Sequence, residues 1–223
     1  MPYPEPDPPI RAFPIAWVTS GRNLLLIGAD AMGADRLRTA LQYDWAAIRV
    51  VGTPVDDAVR RLASDPRVDL HAREVTRADV GWAQMVIEST TDADLGRRVG
   101  GWARAAGVPA STMDKPDTCD FYYTSLIRRG PMVISISSGG ASPAIIARLR
   151  KHLEALVGCG WCKAANLLAS LRTRLPNCPE RSQLLKDLAA DPNLPGLIDR
   201  DNDTELGAWI EAGERAFREE RPE

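Results

Sequence analysis

The chain has little of what several protein classes require. Its 223 residues include only four cysteines and two histidines, too few for a fold held together by disulfides. No apolar run approaches the length of a membrane span, and the first residues lack the basic start and apolar centre of a signal peptide. The formal net charge is -2, which provides no basic surface for nucleic acid. We therefore expect a cytoplasmic globular protein that binds neither nucleic acid nor a membrane.

The first half of the chain alternates short apolar runs with helix-like segments. The runs at 24–27, 47–51 and 85–87 predict strands, and helices are predicted at 34–42, 55–63 and 94–105. This alternation predicts an α/β fold with a parallel sheet wound right-handedly. Ligands bind such sheets at the carboxyl ends of the strands, where the strand order reverses.

The pattern changes after residue 120. Strands are predicted at 121–127 and 132–136 around Arg128-Arg129-Gly130, as in a hairpin, and helices at 144–157, 163–175, 181–190 and 204–219. We divide the chain into a proline-rich tail (1–12), a Rossmann-like domain (13–120), a small β/α segment (121–157) and a helical carboxyl-terminal domain (158–223).

The first predicted strand ends in a loop that keeps two glycines of the dinucleotide fingerprint G-x-G-x-x-G. It reads Gly28-Ala29-Asp30-Ala31-Met32-Gly33, with Asp30 where the second glycine would let a diphosphate approach. Two like charges about 4 Å apart cost about 4 kcal/mol at an effective dielectric of ~20. Either Asp30 turns away, or a cation bridges it, or the crevice has lost its nicotinamide cofactor.

A second loop, at residues 137–143, has the features of an anion site. Ile134 and Ile136 alternate with serines, as in a buried strand, and Gly139-Gly140 then permits positive φ angles. Ser142 is a helix N-cap and Pro143 takes the first helical position. N–H groups and the positive end of the helix dipole would favour a carboxylate or phosphate. An ordinary strand-to-helix turn explains the same residues.

The cysteines offer a weaker site. Cys159-Gly160-Trp161-Cys162 has the C-x-x-C spacing of a metal or redox pair, and Cys178 is the nearest third thiol. Thiols without either role also explain this spacing, so these three residues are weak metal candidates.

Taken in order, these motifs resemble the precorrin-2 dehydrogenase family, which includes monofunctional enzymes and the amino-terminal module of siroheme synthase. The resemblance covers most of residues 13–157. It rests on the 28–33 loop and on these further motifs: Phe13-Pro14-Ile15, Ser89-Thr90-Thr91-Asp92, Met113-Asp114, Phe121, Ser125-Leu126-Ile127, Pro131-Met132, 137–143 and Ala147-Arg148-Leu149-Arg150. The departures lie mainly on the cofactor side, at Ala29, Asp30, Gly96 and Thr124.

The resemblance implies a homodimer with an NAD-binding Rossmann domain, a central dimerisation segment and a helical carboxyl-terminal part. It implies oxidation of precorrin-2 to sirohydrochlorin with NAD, and in some members insertion of ferrous iron, which is then a substrate. Asp114 takes the position of the proton-transferring aspartate; a simple Asx turn is the alternative for this residue. The residues that would hold NAD are Gly28, Ala29, Asp30, Met32, Gly33 and Thr90.

The substrate implied by the resemblance is a polycarboxylate tetrapyrrole, which needs cations and backbone donors around its rim. The candidates are Ser137, Ser138, Gly139, Gly140, Arg128 and Arg148, with Arg129 and Arg150 nearby. Two other functions remain open. One is a chelatase-only or repurposed member that does not use NAD, and the other is a non-catalytic protein that binds a tetrapyrrole or a metal.

Overall fold

The computed structural model describes residues 12–113 and 116–219. Their contacts form two units, which meet in sequence between Tyr123 and Thr124. The sequence placed this boundary three residues earlier; it lies later because Phe121 packs against the core of the first unit. The predicted segments 121–157 and 158–223 fall mostly within one unit, since the strand at Ser125–Arg129 is contacted by helices from both segments.

The first unit is a five-stranded parallel sheet flanked by helices. The sheet order is β3-β2-β1-β4-β5, so the order reverses between β1 and β4 and opens a crevice at their carboxyl ends. This confirms the predicted α/β Rossmann-like class. The strands are β1 (Asn23–Ile27), β2 (Ala47–Val51), β3 (Val68–His71), β4 (Met85–Glu88) and β5 (Ala110–Thr112). The helices are α1 (Ala31–Ala40), α2 (Asp57–Leu62), α3 (Arg77–Trp82) and α4 (Ala93–Ala106), and a 3-10 turn spans Pro116–Thr118.

Strand β1 is apolar after its first residue, Asn23, because both faces of the sheet are covered. Leu24 and Leu26 belong to one buried cluster with Leu37 of α1, whereas Leu25 and Ile27 belong to another with Val99 of α4. Each such side chain stabilises the fold by about 1.5–3 kcal/mol through burial. The central strands therefore hold the loops at their carboxyl ends on a rigid base.

The second unit begins with an antiparallel hairpin followed by helices. Strands β6 (Ser125–Arg129) and β7 (Met132–Ile136) pair so that Arg128 lies opposite Val133 and Ser125 opposite Ile136. The helices are α5 (Pro143–Leu156), α6 (Cys159–Arg174), α7 (Pro179–Ala189), α8 (Leu194–Arg200) and α9 (Asp203–Glu219). Two small apolar clusters form among α6 to α9.

Strand β7 differs from its predicted environment. It was expected to be buried, but Val133 is 50% exposed and Ser135 is also exposed. Helix α5 packs against β6 and none of its own residues is buried. One face of the hairpin therefore remains open in the single chain.

Among the described residues, no helix combines the length and apolarity that crossing a membrane requires.

Candidate functional site

The crevice between β1 and β4 is built around Gly28. This glycine has a φ of 111°, and its N–H donates to the carbonyl of Val51 at 2.9 Å. A Cβ added to Gly28 would lie 2.7 Å from Ser89 Oγ and 3.3 Å from the Thr90 methyl group. Only glycine suits both this φ and this contact. Gly28 and Thr90 thus lie close together at the ends of neighbouring strands.

Gly33 fixes helix α1 against the same strand. A Cβ at this position would lie 2.2 Å from the carbonyl oxygen of Gly28, a distance that two non-bonded atoms do not tolerate. The glycine therefore allows the close helix–strand packing that the third position of the fingerprint requires. Ala29 is buried at 3% exposure and Met32 is 39% exposed.

Asp30 turns onto the amino terminus of its own helix. It is the N-cap of α1, and its Oδ1 accepts a hydrogen bond from the Gly33 N–H at 2.9 Å. This is the region where a dinucleotide places its diphosphate. The glycine positions fit a dinucleotide, but the diphosphate has to displace an exposed carboxylate from the helix terminus. The cap itself contributes about 1 kcal/mol.

Two further residues that support this loop were not predicted from the sequence. A Cβ at Gly52, just after β2, would lie 2.8 Å from the Ala29 nitrogen. The N–H of Asp56, before α2, donates to the Ala29 carbonyl at 2.8 Å. Gly52 directly follows a predicted strand, and this was the one sequence feature that could have identified it. No sequence feature marked Asp56.

A buried glutamate lies at the end of β4. Glu88 is 2% exposed, and its Oε1 accepts hydrogen bonds from the Thr90 N–H at 2.6 Å and from the Thr90 hydroxyl. Its carbonyl accepts from the Met113 N–H at 3.1 Å. The carboxylate thus fixes the position of Thr90 at the crevice. In the sequence, Glu88 directly follows the apolar run at 85–87. The strand predicted there did not include this glutamate.

Asp114, the predicted catalytic residue, lies outside the described residues.

The 137–143 loop has the predicted backbone. Gly139 and Gly140 have φ angles of 61° and 88°, and Ser142 is the N-cap of α5, accepting from the Ile145 N–H at 3.4 Å. Ser137 Oγ accepts from the Gly139 N–H and Ser138 Oγ from the Ser142 N–H, both at 3.1 Å. The serine hydroxyls therefore shape the turn, in which Ser137 is exposed and Ser138 is half-buried.

The predicted arginines are spread along the second unit. Arg128 pairs with Val133 near the hairpin turn. Val133 lies four residues before Ser137, which corresponds to roughly 13 Å at about 3.3 Å per residue. Arg148 lies six residues after Ser142, about 9 Å along the axis of α5, and is exposed. The structure thus does not gather them at one point.

Arg129 and Arg150 have structural partners instead. Arg129 donates to the carbonyls of Val157 at 3.1 Å and Glu154 at 3.3 Å. Arg150 forms an ion pair with the Glu154 carboxylate at 2.5 Å. Both side chains secure helix α5 on the hairpin, which reduces their availability for a substrate.

The three weak metal candidates do not form a common site. Cys178 packs in the apolar cluster of Leu171 and Phe217, whereas Cys159 is exposed at the start of α6 and Cys162 is half-buried. Within residues 12–113 and 116–219, no three side chains of the His, Cys, Asp or Glu type are placed to hold one metal ion.

Comparison with known families matches both units. A family model described as NAD(P)-binding covers residues 15–125, and one described as the central part of sirohaem biosynthesis proteins covers residues 129–156. In the first unit the matched region contains the Gly28 crevice. In the second it contains the hairpin turn and helix α5.

Relatives and a solved structure agree with these matches. A siroheme synthase of Nitrosomonas europaea is 31% identical over 69% of this chain and 32% of its own length. One of Methylococcus capsulatus is 29% identical over 89% of this chain and 42% of its own length. The chain thus spans about a third to two-fifths of these relatives.

The structure of SirC, a precorrin-2 dehydrogenase, superposes with a TM-score of 0.73 at 16% identity, over 92% of this chain and 100% of that one, which shows a shared fold. The two family models together cover more than half of the chain. With its altered glycine loop, the chain belongs to the family of precorrin-2 dehydrogenases and siroheme synthase amino-terminal modules.

Proposed function

We propose that this protein acts in siroheme synthesis by oxidising precorrin-2 to sirohydrochlorin, with NAD as the hydride acceptor. The observation that carries the proposal is the crevice between β1 and β4, where Gly28 and Gly33 have the conformation and close packing of a dinucleotide loop. The names of the relatives, siroheme synthase and precorrin-2 dehydrogenase, support the substrate class. Because the chain spans only part of the siroheme synthases, their activity enters here as a proposal.

The residues of the crevice would divide the work as follows. When bound, NAD supplies the hydride acceptor. The first-turn N–H groups of α1 and the backbone at Gly28 would hold its diphosphate once Asp30 has released the Gly33 N–H. Thr90, fixed by Glu88, would border the nicotinamide side. Asp114 would accept the proton that leaves with each hydride.

The tetrapyrrole carboxylates would bind to the second unit. The 137–143 turn presents N–H groups at the amino terminus of α5, and Arg148 is exposed on the same helix. Arg128 would take a different carboxylate, because it lies about 13 Å of strand away from this turn.

We also propose that two copies of the chain pair through the second unit. Ile145 and Leu156 are each 62% exposed and Leu149 is 39% exposed, and their spacing places them on one face of α5. Val133, which is 50% exposed on the hairpin, adds to this apolar surface. Apolar side chains clustered in this way are typical of an interface.

A specific observation favours a second function. The Asp30 carboxylate on the amino terminus of α1 opposes a diphosphate, so a member that no longer uses NAD would keep this loop as it is. Such a protein would insert ferrous iron into sirohydrochlorin, with Asp114 removing protons from the pyrrole nitrogens. For either function we propose a cytoplasmic location, because four cysteines among 223 residues are few for a fold held together by disulfides.

Binding of NAD to wild-type protein and to the Asp30→Gly variant tests the two functions. Removing the carboxylate should tighten NAD binding about tenfold or more, which is less than the full like-charge cost because Asp30 is exposed. Titration calorimetry gives both dissociation constants. Asp35→Ala is the matched control, since Asp35 is an exposed aspartate of the same helix that pairs with Arg38.

Wild-type turnover of precorrin-2 should require NAD. If neither wild-type protein nor Asp30→Gly binds NAD at millimolar concentration while sirohydrochlorin still binds, the proposed oxidation of precorrin-2 is wrong. That result favours the second function, which does not use NAD. Loss of sirohydrochlorin binding as well would remove both functions.

A further inference from the structure

We propose that Cys159 and Cys162 form a redox-active dithiol that closes to a disulfide and thereby changes the packing of the β6–β7 turn. This function goes beyond the proposed oxidation and does not depend on it. The pair lies in the second unit, at the start of the 16-residue helix α6.

The helix places the two cysteines at the separation that a disulfide needs. Cys159 is the first residue of α6 after the N-cap Gly158, and Cys162 follows one turn later. A rise of 1.5 Å per residue and 3.6 residues per turn put the two Cα atoms about 5 Å apart. Disulfides span Cα separations of about 4.4–6.8 Å. The bond therefore requires rotation of the side chains and no unfolding of the helix.

The two thiols have the unequal exposure typical of such a pair. Cys159 is exposed, so an external disulfide reaches it, whereas Cys162 is half-buried behind it. Cys159 is therefore the attacking residue and Cys162 the resolving one.

The resolving sulfur is seated on the hairpin turn. A Cβ added to Gly130 would lie 2.2 Å from Cys162 Sγ, so the sulfur packs directly on the Cα of this glycine. Asn166 Nδ2 donates to the same sulfur at 3.6 Å. Bringing Sγ to about 2 Å from the sulfur of Cys159, as a disulfide requires, alters both contacts.

The turn that receives this change is connected to the rest of the unit. Gly130, with a φ of 54°, follows Arg129, whose guanidinium holds the carbonyls of Glu154 and Val157 at the end of α5. Oxidation of the pair therefore acts at the point where β6, α5 and α6 meet.

The reaction balances with a small-molecule disulfide such as oxidised glutathione as the oxidant. The Cys159 thiolate attacks one sulfur, forming a mixed disulfide and releasing one thiolate. The Cys162 thiolate then attacks the Cys159 sulfur and releases the second. The protein gives up two electrons and two thiol protons, and the small disulfide becomes two thiols.

Mass spectrometry after alkylation, with the full chain held in glutathione buffers of rising oxidised fraction, tests the pair. Wild-type protein should lose two hydrogens and form one intramolecular disulfide between Cys159 and Cys162. Cys162→Ser should instead stop at the glutathione adduct of Cys159, because no resolving thiol is present. The Cys119→Ser, Cys178→Ser double variant is the matched control and should behave as wild type. Trp161, 41% exposed between the two cysteines, should report the same transition by its fluorescence.

Hydrogen exchange tests the effect on the turn. Amides of residues 128–133 should exchange faster after oxidation in wild type and be unchanged in Cys162→Ser. Full alkylation of both thiols in excess oxidised glutathione, or intermolecular disulfides alone, would overturn the dithiol. Equal exchange at the hairpin in both redox states would overturn its coupling to the turn. Neither measurement uses NAD or a tetrapyrrole, so failure here is separate from failure of the proposed function.

Discussion

At the scale of single residues, several hydrogen bonds hold the buried carboxylate of Asp79 in the first unit. Arg73 donates two hydrogen bonds to it, each at 2.8 Å, and Arg49 a third at 3.2 Å. The Thr76 backbone and hydroxyl add two more, at 2.9 and 2.8 Å, and the carboxylate side chain is 3% exposed. The hydrogen bonds from Arg73 are the main cause that holds the pKa of Asp79 far below its usual value.

This shift predicts a pH dependence of stability. The folded-state pKa of Asp79 lies below its unfolded value of about 3.9, so its contribution is present above pH ~4 and is lost as the pH falls below it. Asp79→Asn should lower the free energy of unfolding by about 2–3 kcal/mol at neutral pH, and the gap should narrow in acid. Urea unfolding at several pH values measures both effects.

Asp57→Asn, which changes an exposed aspartate in the first turn of α2, is the control and should cost little at any pH. A gap between wild type and Asp79→Asn that persists undiminished well below pH ~4 would contradict the role given to this carboxylate.

At the scale of elements, helix α4 carries two adjacent glycines with different surroundings. A Cβ at Gly100 would lie 2.7 Å from the Cβ of Thr118 in the 3-10 turn, whereas a Cβ at Gly101 meets nothing within 4 Å. Glycine inside a helix costs about 0.5–1 kcal/mol relative to alanine. At position 100 a glycine is nevertheless needed, because the 3-10 turn that contains Thr118 packs against the helix there.

Alanine at each position should therefore have opposite effects. Gly100→Ala should destabilise the protein by about 1–3 kcal/mol through overpacking, and Gly101→Ala should stabilise it by about 0.5–1 kcal/mol. Thermal and urea unfolding of the two variants, which differ only in which of two neighbours gains a methyl group, measure the contrast. Stabilisation by both substitutions would show that Thr118 moves away without cost.

At the scale of the whole molecule, the apolar residues left exposed on α5 predict self-association. Light scattering after size exclusion should give a dimer for wild-type protein. Ile145→Glu should give a monomer, because it puts a charge into the proposed interface. Lys151→Glu changes the charge at an exposed position on another side of α5 and should remain dimeric. A wild-type monomer at micromolar concentration would contradict the pairing.

Much of the architecture could be predicted because it depends on local patterns. The run at 24–27 is apolar throughout, which indicated a strand, and the sheet places it at the centre. Ser142 and Pro143 marked the start of α5 by capping chemistry alone. Strand β3, with the sequence Val-Asp-Leu-His, and the six-residue helix α3 were not predicted, since short and half-polar segments carry little periodic signal.

The sequence by itself determined the α/β class, the family and the two loops, because strand periodicity, glycine positions and motif order are written along the chain. Tertiary structure alone decided what surrounds each of these features. It brought Gly52 to Ala29, and it placed the sulfur of Cys162 against Gly130. A side chain's partners depend on which strand ends and turns become neighbours in space, and contacts between residues far apart in the chain leave no periodic trace in the sequence.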